Sequence, residues 1–189
     1  MFTKFVKNFL TEEECDLIIE MGESFGLNQM KSSRIVNGKV VEENISYSGN
    51  KRSGCYFTDE FLMDPLLVNI SKRIIDLSNE IKPFNSVEYV RIPKYSFNRY
   101  GDSDFLEWHE DRHEIINGAT ITYIIQLNDD YEDGLVKYML EGVEYDVPKI
   151  KGSVFIFDSN ILHSVDKIKS GKRYSLNVWP SSTKKISLI

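Results

Sequence analysis

The chain has little of what would pin a fold by covalent chemistry. Its two cysteines, Cys15 and Cys55, sit at a spacing that matches neither a disulfide framework nor a metal motif, so reduced thiols in a reducing compartment are expected. No stretch approaches the roughly 18 apolar residues of a membrane span. Lys4 and Lys7 interrupt "MFTKFVKNFL", which therefore lacks the apolar region of a secretory leader. Positive charge is not in excess: 23 Lys and Arg against 29 Asp and Glu leave a formal net charge of −6. A nucleic-acid or membrane partner, which needs a basic face, is not expected. There is no internal repeat, low-complexity tract or linker rich in Pro, Gly or Ser. What remains is one cytoplasmic domain over 1–189, long enough to bury a core, with its oligomeric state unspecified.

Local patterns divide that domain into a mixed helical part at about 1–85 and a β-rich part at about 86–180. Thr11-Glu12-Glu13-Glu14 is a capping box ahead of "CDLIIEMGESF", whose apolar residues recur at helical spacing. Asp64-Pro65 supplies an N-cap and a first-turn proline before "LLVNISKRIIDLSNEI". Asn37-Gly38, between "RIV" and "KVV", signals a hairpin, and the polar segment 28–56 around it is a candidate lid. Beyond residue 86, "VEYVRI", "ATITYIIQLN", "KYML", "VEYDV", "SVFIF" and "RYSLNVW" are short, β-branched or aromatic runs broken by turn residues. The fold class they predict is mainly β, a jelly-roll barrel with N-terminal helices packed outside.

Histidine is scarce too, and two of the three histidines lie in "WHEDRHE", residues 108–114. Read as His109-Glu110-x-x-His113, this is a zinc-peptidase pattern, which requires a helix to bring both imidazoles to one metal. Read as His109-x-Asp111 on an extended segment, it is two thirds of an iron site that needs a distant second histidine. The third histidine, His163, follows the strand-like "SVFIF", and Arg173 comes about ten residues later in "RYSLNVW". On a strand, Arg173, Ser175 and Asn177 share one face. A guanidinium on such a polar face suits a carboxylate ligand, with serine adding a hydrogen bond.

His109-x-Asp111, His163, Arg173-Tyr174-Ser175, "DSNILHSV", "GKRYSLNVW" and, upstream, "NKRSGCYF" together resemble the Fe(II)- and 2-oxoglutarate-dependent dioxygenases, in the prolyl-4-hydroxylase-like branch. The resemblance implies a double-stranded β-helix, or cupin-like barrel, with His109, Asp111 and His163 as metal ligands. It gives the distal carboxylate of 2-oxoglutarate to Arg173 and Ser175, and carries Tyr100 into the cosubstrate pocket. It implies Fe(II), 2-oxoglutarate and O₂ as requirements, with ascorbate as an accessory reductant. The implied reaction hydroxylates a C–H bond of a peptidyl or free amino acid, proline first, and releases succinate and CO₂. The chain departs from the branch at Gln126, where a tyrosine is usual before "Leu-Asn", and at Asp133-Gly134, where Gly-Gly is usual. An amide can still hydrogen-bond a carboxylate, so Gln126 stays among the cosubstrate-binding candidates. His113 falls outside the ligand set in this reading. The alternatives are a non-catalytic jelly-roll binding protein and the zinc peptidase.

Overall fold

The computed structural model describes residues 1–30, 32–36, 39–43, 50–57, 63–81, 89–92, 94–111 and 120–182. Two antiparallel sheets form the body. The larger contains β1 (Thr3–Val6), β2 (Asn28–Gln29), β6 (Ser53–Phe57), β8 (Tyr95–Tyr100), β10 (Ile121–Gln126), β14 (Val154–Asp158) and β17 (Arg173–Val178), in the order β1-β14-β10-β17-β8-β6-β2. The smaller contains β5 (Asn50–Lys51), β9 (Phe105–His109), β12 (Val136–Leu140), β13 (Val143–Asp146) and β15 (His163–Val165), in the order β13-β12-β15-β9-β5. From β8 onward the chain passes back and forth between the two sheets, with β12 and β13 forming a hairpin within the smaller one, the jelly-roll pattern that the sequence predicts. Strands β1, β2 and β6, from the first third of the chain, extend the larger sheet at both its edges.

Side-chain alternation on β10 shows why this sheet reads as continuous apolar sequence. Tyr123 and Ile125 point into one core, shared with Tyr95, Phe97, Ile156, Leu176 and Val178, while Ile124 belongs to a second core with Tyr100, Phe155, Phe157 and Val165. Both faces are covered, one by helices and the other by the smaller sheet, so all six residues of β10 are buried. Both helices form where the capping signals put them. In α1 (Glu12–Ser24), the Thr11 hydroxyl accepts from the Glu14 amide and the Glu14 carboxylate accepts from the Thr11 amide. In α2 (Pro65–Ile81), Asp64 Oδ1 accepts from the Leu66 amide at 2.9 Å.

Leu67, Ile70 and Ile74 of α2 are fully buried against the sheet, each worth about 1.5–3 kcal/mol relative to exposure. Ser71 and Ser78 bond the hydroxyls of Tyr95 and Tyr123 at 2.6 and 2.7 Å, tying the helix to the sheet without leaving a buried phenol unsatisfied. Helix α1 approaches so closely that a Cβ on Gly22 would lie 2.4 Å from the Phe97 ring. Any side chain there would force the helix away.

β3 (Ser32–Val36) and β4 (Lys39–Glu43) pair with Val36 opposite Lys39, flanking the predicted Asn37-Gly38 turn, which lies outside the described residues. Much of the candidate lid, including 44–49, lies outside them as well. Where the sequence has Asp133-Gly134, Asp133 adopts φ 61° and Gly134 φ 65°. Asp133 thus takes a left-handed conformation that a glycine would take at less cost. Gly134 cannot be replaced so simply, since a Cβ on it would lie 2.1 Å from Ile168 Cδ1.

Candidate metal centre

Strand pairing assembles the site. β9 and β15 are neighbours, with His163 directly opposite His109 and their ring centroids 4.1 Å apart. Asp111 lies just past the end of β9, where its amide donates to Ser159 O at 3.0 Å. The ligating atoms of His109, Asp111 and His163 all lie within 4.8 Å of one another. His109 therefore ends a strand, and the helix that the zinc-peptidase reading requires at this residue is not there. His113 lies outside the described residues.

Each imidazole is oriented by its own backbone. His109 Nδ1 bonds Glu107 O at 2.8 Å and His163 Nδ1 bonds Ile161 O at 2.9 Å. A carbonyl can only accept, so each Nδ1 carries the proton and each Nε2 is left with a free lone pair. Those two Nε2 atoms each stand 3.7 Å from a carboxylate oxygen of Asp111, Oδ1 for His109 and Oδ2 for His163. Burial, and then the neighbouring His163, hold the His109 pKa well below the usual histidine range, favouring the neutral, ligating form.

The carboxylate is restrained on one side only. Thr122 Oγ1 donates to Asp111 Oδ2 at 2.8 Å, and Trp179 Nε1 donates to the same oxygen at 3.1 Å. Burial alone would raise the Asp111 pKa, but the two histidines and these two donors outweigh it and the net shift is downward. With Oδ2 accepting twice, Oδ1 and the two Nε2 atoms remain as the free donor set. Two neutral imidazoles and one carboxylate fit Fe(II) and leave further coordination positions open.

A second polar group lies deeper in the barrel. Arg173, at the start of β17, is 1% exposed, yet its Nε and Nη2 have no hydrogen-bond partner among the described residues. Its Nη1 donates to Ser175 Oγ at 3.2 Å, and its guanidinium carbon lies 5.1 Å from the centroid of the Tyr100 ring, its cross-strand neighbour. A buried guanidinium with two unused nitrogens is costly unless an anion completes it, and a carboxylate matches the fork. This orphaned cation fits the distal carboxylate of 2-oxoglutarate. Tyr100 and Ser175 are thus beside Arg173. Gln126 is also in the barrel, but its amide is spent on protein atoms: Nε2 donates to Asn128 O at 2.6 Å and to Tyr131 Oη at 2.9 Å.

Sequence reasoning missed Thr122, Trp179 and Tyr131. The first two carried a signal: Thr122 is in phase with Ile124 and Gln126, and Trp179 with Arg173, Ser175 and Asn177. Tyr131 lies in the loop after β10, where no periodicity exists to mark it. The aromatics near the motif divide as strand burial dictates, with Tyr95, Phe97 and Tyr100 buried and Trp108 38% exposed.

Residues 95–181, which contain every candidate ligand, match the family model of the 2OG-Fe(II) oxygenase superfamily. Among solved structures, a Pseudomonas putida prolyl-4-hydroxylase superposes with a TM-score of 0.74 at 16% identity, covering 96% of this chain and 93% of that one. The viral collagen prolyl hydroxylase of Paramecium bursaria Chlorella virus-1, in its 2OG complex, gives 0.70 at 17% identity, covering 96% and 97%. A Trichoplax adhaerens prolyl hydroxylase, in complex with a hypoxia inducible factor oxygen degradation domain peptide fragment, gives 0.74 at 15% identity, covering 97% and 84%. No curated protein matches the chain significantly in sequence. At such identities the structural likenesses establish the shared fold.

Proposed function

We propose, from a chain that over residues 95–181 belongs to the 2OG-Fe(II) oxygenase superfamily, that this protein is a dioxygenase hydroxylating an amino-acid C–H bond, with prolyl residues in peptides as the leading substrate. The observation that carries the reading is the pairing of a three-donor cluster with a buried, half-partnered guanidinium in one barrel. A cation site alone would suit many enzymes, and an anion site alone many binding proteins. Together they match a cosubstrate with a chelating 2-oxo acid head and a second carboxylate. The preference for a peptide rests on the fold shared with prolyl hydroxylases, one of them holding a peptide fragment.

In this reading His109, Asp111 and His163 hold Fe(II), and the chemistry that iron supplies is oxidation by O₂, in which 2-oxoglutarate becomes succinate and CO₂ and substrate R–H becomes R–OH. The chain's own residues do the positioning. Glu107 O and Ile161 O keep both Nε2 atoms aimed inward, while Thr122 and Trp179 hold Asp111 by one oxygen. Arg173 and Ser175 fix the far carboxylate, and the apolar lining of Ile124, Val136, Phe155 and Val165 keeps water out of the barrel.

Anaerobic addition of Fe(II) and then 2-oxoglutarate tests this directly. A weak visible charge-transfer band should appear, vanish in His163→Ala, and need far more 2-oxoglutarate in Arg173→Met. Succinate release screened against proline-containing peptides and free amino acids then names the substrate. Absence of a band with Fe(II) bound would refute the cosubstrate assignment, and succinate release stimulated by free amino acids alone would refute the peptide preference.

A further inference from the structure

Beside the proposed carboxylate pocket lies a buried phenol whose proton no described residue accepts. Gln126 Nε2 donates to Asn128 O, and because a carbonyl accepts only, this bond fixes which end of the amide is nitrogen. The second hydrogen of that nitrogen goes to Tyr131 Oη at 2.9 Å. Gln126 sits opposite Ser175 in the β10–β17 pairing, and Ser175 accepts from Arg173, which is a donor only. The Tyr131 phenol is thereby brought to the Arg173 end of the barrel, where the guanidinium charge offsets part of the upward push that burial gives its pKa. The phenol oxygen accepts from Gln126, and its own proton, buried with the ring, meets no acceptor among the described residues. Ser175 is in the same position, since its hydroxyl accepts from Arg173 Nη1. Arg173 Nη2, the Ser175 hydroxyl and the Tyr131 hydroxyl are three donors with hydrogens left over in one buried place.

We infer that Tyr131 is a cosubstrate-binding residue, donating its phenolic proton to the distal carboxylate held by Arg173, and that Gln126 is a positioning residue acting through Tyr131. The assignment rests on the function proposed above. The task is divided between an amide on β10 and a phenol in the following loop. The division also gives specificity, because three donors converge only on a 2-oxo acid that carries a second carboxylate.

The test titrates the anaerobic Fe(II) protein with 2-oxoglutarate and, separately, with pyruvate, which keeps the 2-oxo acid head but has no distal carboxylate. The charge-transfer band reports both, so no turnover is needed. Tyr131→Phe should raise half-saturating 2-oxoglutarate by about tenfold to a hundredfold, the size of a hydrogen bond to a charged group, and leave pyruvate within about twofold. Gln126→Leu should weaken 2-oxoglutarate less, and should cost nothing further in the Tyr131→Phe background. Equal weakening of both acids in Tyr131→Phe would mean a merely structural tyrosine and overturn the assignment. So would an unchanged 2-oxoglutarate titration, or a Gln126→Leu effect that persists in full without the phenol. A wild-type protein that binds Fe(II) and gives a band with neither acid would instead bring down the proposed function, and this inference with it. Should Tyr131→Phe fail to fold, Gln126→Leu alone carries the test, since it must loosen 2-oxoglutarate and spare pyruvate.

Discussion

The barrel has two polar ends, and their hydrogen bonding is opposite in character. At the His109 end every accessory bond is made: both Nδ1 atoms have carbonyl partners and Asp111 Oδ2 accepts twice, leaving only lone pairs free. At the Arg173 end the surplus is hydrogen: two guanidinium nitrogens lack partners and the hydroxyls beside them accept rather than donate. One end is finished except for a cation, the other except for an anion. A buried polar group left this way costs about 1–3 kcal/mol, and more when charged, so each end stores a driving force for its own ligand. Each end is recognisable by the kind of bond it leaves unmade.

Several substitutions would separate the ends, and the largest effect belongs to the metal end. His163→Ala should weaken Mn(II) or Co(II) binding by more than about a hundredfold, exceeding the loss typical of an outer-shell partner, as isothermal titration would show. At the other end, Arg173→Met should raise half-saturating 2-oxoglutarate by about a hundredfold or more while metal affinity changes less than about twofold. A metal affinity that collapses with Arg173 would show the two ends to be one cooperative unit. Trp179→Phe sharpens the comparison by removing one donor from Asp111 and nothing from Arg173. Competition against a metal indicator should show about a tenfold loss, with Thr122→Val behaving alike. The smallest effect lies outside both ends. Burial pushes the Cys15 thiol up to about 11 from 9.0, so the native state keeps a proton that the unfolded chain releases between those values. Its stabilising contribution is complete below pH 9 and is lost as pH rises toward 11. Urea melts of Cys15→Ala should accordingly show a shallower decline over that window than the wild type.

Much of this was legible before any coordinates. Helix starts at Thr11 and Asp64 were readable because caps are local chemistry, and the inward face of β17 because strands alternate. The His-x-Asp spacing with its distant histidine named the cluster. What the sequence hid was non-local. β1 is a four-residue edge strand that exists only because β14 is there to pair with it. The bond between Gln126 and Tyr131 depends on how the loop after β10 folds, and no periodicity announces that. Strand β8 was hidden differently: "YSFNRY" mixes polar and aromatic residues, because Ser96 and Asn98 are buried and bonded to each other rather than to solvent.

The two histidines take their orientation from carbonyls two residues earlier, Glu107 on β9 and Ile161 in the turn before β15. A point mutation can delete a side chain, but it cannot delete a carbonyl. The geometry that presents both imidazoles is therefore written in main-chain atoms common to every sequence that folds this way. Such a centre can be inherited across very large sequence divergence, while the side chains that choose its ligands remain free to be reassigned.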